Sequence, residues 1–231
     1  MKDDARGAER EAMVREQVEA RGVRDPRVLG ALRSVPRHLF APAGSEADRA
    51  AYEDRAHSIG EGQTISQPFI VARMTELLRL RGDEKVLEVG AGSGYQTAVL
   101  SLLAREVVAV ERLPVIAGRA RAVLDAFGAR NVRLFVGDGS AGWLDEAPYD
   151  AALIAAAAPE VPAALVRQIH PGGRVVLPVG PEDGVQRLLL VTVNGDGSGR
   201  THVEDYGEVS FVPLIGTRGY GLPADLGEPD L

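Results

Sequence analysis

The stretch from Lys85 to Tyr95, KVLEVGAGSGY, constrains the fold more than any other part of the chain. A short apolar run (Val86, Leu87, Val89) stops at a turn with glycines at 90, 92 and 94, and a helix-like run from Thr97 to Ala104 follows. Strand, glycine turn and helix in that order open a doubly wound α/β domain. Glycine permits the tight turn and the close approach of a ligand, and the helix N-terminus offers free N–H groups. A dinucleotide loop reads G-x-G-x-x-G, so its third glycine would fall at 95, where Tyr95 stands. The spacing is G-x-G-x-G instead, with Glu88 at the strand end just before it.

That spacing is similar to the S-adenosylmethionine loop of class I methyltransferases. Alone it also fits a tight structural turn, so the rest of the chain must decide. The first forty residues read as a helical cap. Val14 and Val18 lie one turn apart, Gly22 ends the first helix, and Asp25-Pro26 opens a second that runs to about Leu32 before Pro36. Residues 43–55 read as loop or short helix. Ile70, Val71, Met74, Leu77 and Leu78 then mark one apolar helix face. Ser66 stands just before it and has two readings, helix N-cap or site residue.

Strands are expected at 85–89, 107–110, 132–136, 151–155 and 174–179, then at 188–193 and 209–214 with NGDGSGR as the flexible hairpin connection. Helices are expected around Ile116–Phe127, capped by Gly128, and from Pro159 to Ile169, with Pro171-Gly172-Gly173 as a turn. Glu111 ends the second strand about twenty residues past the glycine loop, where a ribose-binding carboxylate belongs in a nucleotide-binding unit. Asp138 sits between Gly137 and Gly139, and either faces an adenine amino group or simply makes a turn. The pattern predicts one α/β domain: a doubly wound, mostly parallel sheet with an antiparallel C-terminal edge and an N-terminal helical cap. The cap covers about 1–60, the core about 61–216, and 217–231 read as a surface tail.

Inventory narrows the chemistry. The chain has 231 residues, no cysteine and, apart from Lys2 and Lys85, only arginine as its strongly basic residue. Cysteine nucleophiles and thiolate metal sites are excluded, lysine catalysis nearly so. His38, His57, His170 and His202 have no metal-ligand spacing, so no metal is expected. A net charge of −7 disfavours nucleic acid as a partner. With no membrane-length apolar run and no signal-like N-terminus, the expectation is a cytoplasmic protein, and a monomer because no apolar helix face is left over.

Longer stretches carry a resemblance to the protein-L-isoaspartate (D-aspartate) O-methyltransferases. They are MVREQVEARGVRDPRVLGALRSVPRHLF, YEDRA, IGEGQTISQPFIVARMTELL, the glycine loop, VVAVER, GDGSAGW, APEVPAALVRQIHPGGRVVLPVG and VPLIG, in family order over roughly residues 10–216. GQTISQP is the specific one; the glycine loop is shared by many methyltransferases. The resemblance implies a class I fold (Rossmann-like), S-adenosylmethionine as cofactor, and isoaspartyl-containing proteins or peptides as substrates. It implies Ser66 as the active-site serine. Glu88, Gly90, Ala91, Gly92 and Gly94 would form the cofactor loop. Glu111 and Arg112 would lie at the ribose, and Asp138 and Gly139 at the adenine. Gln63, Thr64 and Ile65 would line the site between cofactor and peptide, and Val212 would border the peptide cleft with Thr64 and Ser66.

The chain departs from the family at His57-Ser58, where Leu-Pro is usual, at Ala155, where Thr is common, and at the small Ser140. These leave room for a tailoring methyltransferase that esterifies an aspartate of one dedicated peptide to form an aspartimide. The residues also leave open a nicotinamide oxidoreductase and a non-catalytic cofactor-binding module. The implied reaction suits a chain with no evident catalytic base, since a carboxylate of pKa around 4 is already ionised at neutral pH.

Overall fold

In the computed structural model, which describes residues 6–221, the cap comes first in the chain. Helix α1 (Gly7–Ala12) continues as a π-helical turn, Met13–Val18, and a 3₁₀ turn, Glu19–Arg21, ended by Gly22 in the left-handed conformation. Helix α2 (Pro26–Ser34) starts as expected: the Asp25 carboxylate accepts from the Arg27 and Val28 N–H groups and Pro26 holds the first position. A 3₁₀ turn, Arg37–Phe40, and a short helix α3 (Glu46–Arg49) follow. Strands β1 (His57–Gly60) and β2 (Gln63–Ile65) form a small antiparallel hairpin of their own. The sequence did not announce it, because strands this short carry no readable alternation.

Helix α4 (Pro68–Leu78) buries Val71, Met74, Leu77 and Leu78 of the stripe seen in the sequence, while its fifth member, Ile70, is only partly buried. Each fully buried side chain contributes about 1.5–3 kcal/mol by leaving water. The core then alternates: β3 (Lys85–Val89), α5 (Tyr95–Ser101), β4 (Glu106–Glu111), α6 (Pro114–Phe127), β5 (Val132–Val136), β6 (Tyr149–Ile154), α7 (Ala163–Val166), β7 (Ile169–Val179), β8 (Gln186–Val193) and β9 (Thr201–Val209). The seven-stranded sheet runs β5-β4-β3-β6-β7-β8-β9, with β8 antiparallel to both its neighbours. Chain order reverses at β3, flanked by β4 and β6, so the crevice opens at the carboxyl ends of these strands. This is the mostly parallel, doubly wound sheet with an antiparallel edge that the pattern predicts.

Three expectations are corrected. The helix expected from Pro159 to Ile169 shrinks to α7, because Pro159 and Pro162 cannot donate within a helix. Pro171-Gly172-Gly173 is no turn between elements but a bulge inside β7: Tyr149 pairs with Ile169 and, two residues on, Ala151 pairs with Arg174. The last strand is β9, ending at Val209, and not 209–214. The apolar segment after it makes single bridges instead, Ala157 with Pro213 and Ala158 with Val179 nearby. The expected hairpin connection joins β8 to the edge strand β9, closed by Asn194 N–H to the Arg200 carbonyl at 2.8 Å.

The surface tail expected at 217–231 lies outside the described residues from 222 onward. Residues 217–220 fold back against the core, as described below.

Candidate active site

A cleft of about 960 Å³ opens at the carboxyl ends of β3, β4 and β6. The glycine loop forms its floor. Gly90 and Ala91 both donate their N–H groups to the Val110 carbonyl, at 2.9 and 3.2 Å, which folds the loop over the end of β4. Gly90 has φ +86° and its missing side chain faces the Ala155 backbone, so the position needs glycine for its conformation. Gly92 N–H donates to Glu111 Oε2 at 2.9 Å, and Leu113 N–H to Oε1 at 2.9 Å. These bonds hold the Glu111 carboxylate on the cleft wall and leave each oxygen a lone pair for a ribose hydroxyl.

Ser66 is not a helix cap. Gln67 occupies the N-cap of α4, and its side chain makes no capping bond. The first intrahelical bond runs from Val71 N–H to the Gln67 carbonyl, so the Phe69 and Ile70 N–H groups stay unpaired beside the cleft. The Ser66 hydroxyl has no hydrogen-bond partner among the described residues and also lines the cleft. Gln63, Thr64 and Ile65 line it from β2, Arg112 from the end of β4, Gly139 from the loop after β5, and Val212 from the segment after β9. An added Cβ at Gly139 would come within 2.8 Å of Val89 Cγ1, so glycine keeps this wall against the sheet.

Three expected site residues lie elsewhere. Glu88 is fully buried beneath the loop, and neither carboxylate oxygen has a hydrogen-bond partner. Burial pushes its carboxyl up to about 8, opposed by the Thr97 hydroxyl and reinforced by the Glu111 carboxylate. Strand alternation turns it away from the cleft, so it supports the loop from below. Gly94 serves packing: a Cβ there would press on Leu124 Cγ at 3.3 Å, where α5 meets α6. Asp138 is occupied by its own chain. Its Oδ1 accepts from Ser140 N–H at 2.8 Å, and Oδ2 from Thr217 N–H at 2.8 Å and Thr217 Oγ1 at 3.0 Å. Despite partial burial, these bonds hold its carboxyl below the usual range.

Asp138 thus anchors a strap. Arg218 N–H donates to Ser140 Oγ at 2.9 Å, Tyr220 Oη donates to the Gly180 carbonyl, and no side chain fits at Gly216 without entering the Asp138 carboxylate. Pro213, Leu214 and Ile215, just before the strap, line the cleft.

Several lining residues escaped sequence reasoning. Tyr95 is the first residue of α5 and lines the cleft. Phe40 meets its ring edge-on at 5.7 Å. The Arg37 guanidinium lies 4.8 Å from the ring centroid; Arg37 is fully buried, and its one hydrogen bond among the described residues runs from Nε to the Ala51 carbonyl at 2.7 Å. Burial lowers this guanidinium to about 10, still charged at neutral pH. At the mouth, Arg21 stacks on Phe69 at 3.6 Å and pairs with Asp54 at 3.0 Å. Phe211 lines the opposite side. The only clue to Tyr95 was that it replaces a glycine. His57, beside the site segment in sequence, is buried in β1 outside the cleft lining.

The sheet order, the crevice at its reversal and the G-x-G-x-G loop define a class I methyltransferase. Residues 8–219 match the family described as Protein-L-isoaspartate(D-aspartate) O-methyltransferase (PCMT), and the chain belongs to that family. A Protein-L-isoaspartate O-methyltransferase of Methanoculleus marisnigri is 52% identical over 220 residues, 95% of this chain and 97% of its own. One from an Anaeromyxobacter species is 54% identical over 203 residues, 87% of this chain and 94% of its own. A solved protein-L-isoaspartate O-methyltransferase superposes with a TM-score of 0.80 at 29% identity, covering 91% of this chain and 67% of that one. A Plasmodium falciparum structure in complex with S-adenosyl-L-homocysteine shares the fold at a TM-score of 0.74 and 21% identity, over 89% of this chain and 97% of that one.

Proposed function

We propose that this chain methylates the free carboxylate of L-isoaspartyl residues in damaged proteins and peptides, starting their return through a succinimide to normal aspartate. Family membership supports the reaction. The observation that carries the site is the unpaired Ser66 hydroxyl beside the unpaired N–H groups of α4, within one cleft with the glycine loop.

S-adenosylmethionine, when bound, supplies a methyl group on a positively charged sulfur. The Gly90–Gly92 backbone and the Glu111 carboxylate would hold it, with Gln63, Thr64 and Ile65 covering its reactive side and Arg112 and Gly139 flanking it. The acceptor carboxylate is ionised at neutral pH and needs no base. The residues therefore align rather than activate. Ser66 donates to one carboxylate oxygen, and the positive end of the α4 dipole favours the anion. Val212 and Phe211 wall the peptide side. Enclosing the reacting groups leaves few water dipoles to reorganise as charge is neutralised.

The same proposal takes the protein to be a monomeric, cytoplasmic, single-domain enzyme with no nucleic-acid partner. Its net charge of −7 supports this, as do exposed large apolar residues that are scattered among the described residues. No helix among the described residues is long and apolar enough to cross a membrane.

The test is transfer of labelled methyl from S-adenosylmethionine to a short isoaspartyl peptide beside its aspartyl twin. Label in the isoaspartyl peptide alone is the expected result. Label in neither, with cofactor bound, would reject the assignment.

A further inference from the structure

Asparagine occurs twice in this chain, at 131 and 194. The two sites differ in every respect that governs attack of a backbone nitrogen on a side-chain amide. Asn131 donates from Nδ2 to the Ser101 and Ala104 carbonyls at 2.9 and 3.1 Å, and the β-branched Val132 follows it. Its amide is pinned and its neighbour crowded. Asn194 precedes Gly195 in the exposed turn between β8 and β9. Its side chain has no partner among the described residues. The Gly195 N–H donates to nothing there either, and an added Cβ would meet no atom within 4 Å. Nucleophile, electrophile and conformational freedom coincide at this one peptide bond.

We propose that Asn194 is a site of isoaspartyl formation in this chain, and that the enzyme accepts its own β8–β9 hairpin as a substrate from another copy. The Gly195 nitrogen attacks Asn194 Cγ. A C–N bond closes a five-membered imide, the Cγ–NH₂ bond breaks, and ammonia leaves with the proton lost from the amide. Water opens the imide. Opening at the main-chain carbonyl routes the chain through the side-chain carbon and frees the α-carboxylate. That carboxylate then forms an O–CH₃ bond, and the electrons of the broken S–CH₃ bond stay on sulfur.

The chain's three Asp-Gly pairs, at 138–139, 183–184 and 196–197, are poorer starting points. An ionised carboxylate would have to expel oxide, whereas an amide expels ammonia. The Ser198 hydroxyl and N–H hold the Asp196 carboxyl below its usual range, and Asp138 is bound by the strap.

Geometry makes the reaction intermolecular. Strand β8 runs from the cleft end, where Arg187 pairs with Val179, to the far end, where Thr192 pairs with Arg174. The hairpin therefore sits across the sheet from Ser66, separated by the length of β8, about 25 Å. Exposure of residues 195–200 lets a second molecule engage it.

The acceptance half rests on the activity proposed above, so the experiment separates the two. Purified protein is aged at mild alkaline pH, digested and mapped by mass spectrometry for isoaspartate. Aged and fresh protein, wild type, Asn194→Ala and Asn194→Gln, are then offered to fresh enzyme with labelled S-adenosylmethionine, beside a synthetic isoaspartyl peptide. Expected are isoaspartate at 194 and not at 131, label in aged wild type rising with its concentration, and loss of that label in both variants to the unaged level. Absence of isoaspartate at 194 overturns the proposal, as does undiminished label in the variants. Label in the synthetic peptide but not in aged wild type overturns acceptance while the activity stands. Label in neither overturns the activity and acceptance together, and the mass map still decides the damage site.

Discussion

Ser66 and Glu88 show how differently two polar residues near one loop can be used. Ser66 reaches the cleft because Gln67 takes the capping position and caps nothing. In the role proposed for Ser66, replacing it by Ala removes one hydrogen bond to the acceptor carboxylate, so kcat/KM should fall about 10- to 100-fold. Titration calorimetry with S-adenosylhomocysteine should show unchanged affinity; loss of both in parallel would mark Ser66 as structural. Glu88 carries a folded-state value of about 8 against an ordinary 4.5. The folded protein then holds a proton that the unfolded chain gives up. Its stability contribution falls as pH rises from about 4.5 to about 8, by at most about 1.4 kcal/mol per unit. Glu88→Gln should therefore raise Tm, with the gain widening between pH 5 and 8 in a calorimetric series. Position and residue type made both visible in the sequence. Which way each side chain points was not, since that depends on where α4 starts and on strand alternation at β3.

At the scale of elements, the glycine loop shapes the cleft floor, and the strap ties down the end of the segment that lines the cleft at 213–215. Gly90→Ala places a side chain at φ +86°, costing about 1–2 kcal/mol. A chain of this size should lose about 2–8 °C in Tm by scanning calorimetry, with weaker cofactor binding. Gly216→Ala should act through the strap: the added methyl displaces the Asp138 carboxylate, and the Thr217 and Arg218 amides should exchange hydrogen faster by mass spectrometry. Unchanged protection would show that the strap tolerates the methyl. Long amphipathic helices were legible by their 3.6-residue period, and the central parallel strands as short, near-continuous apolar runs buried on both faces. Strand β9, THVEDYGEV, was not: it is a mostly exposed edge strand whose apolar residues show little alternation. VPLI imitated a strand because it is apolar, yet it is apolar to wall the cleft.

For the whole molecule, stability resides in the two apolar clusters that flank the sheet. Ion pairs such as Arg187 with Asp205 are exposed and contribute little. Arg187→Ala should leave the thermal midpoint nearly unchanged in a fluorescence melt, and a large drop would mean that the β8–β9 edge depends on its charges. The domain layout was readable because alternating strands and helices admit few topologies. The assembly of cap onto core was not, since no sequence pattern pairs Arg37 with Tyr95.

That pairing limits how this architecture can be dissected. A cation enclosed between cap and glycine loop, with an aromatic face as its counterpart and no carboxylate bonded to it among the described residues, belongs to neither part alone. Deleting the cap would open the back of the loop to water, and grafting it onto another methyltransferase would bury an orphan charge. The two segments are therefore inherited together or not at all, and a swap between relatives should keep residues 37 and 95 from the same parent.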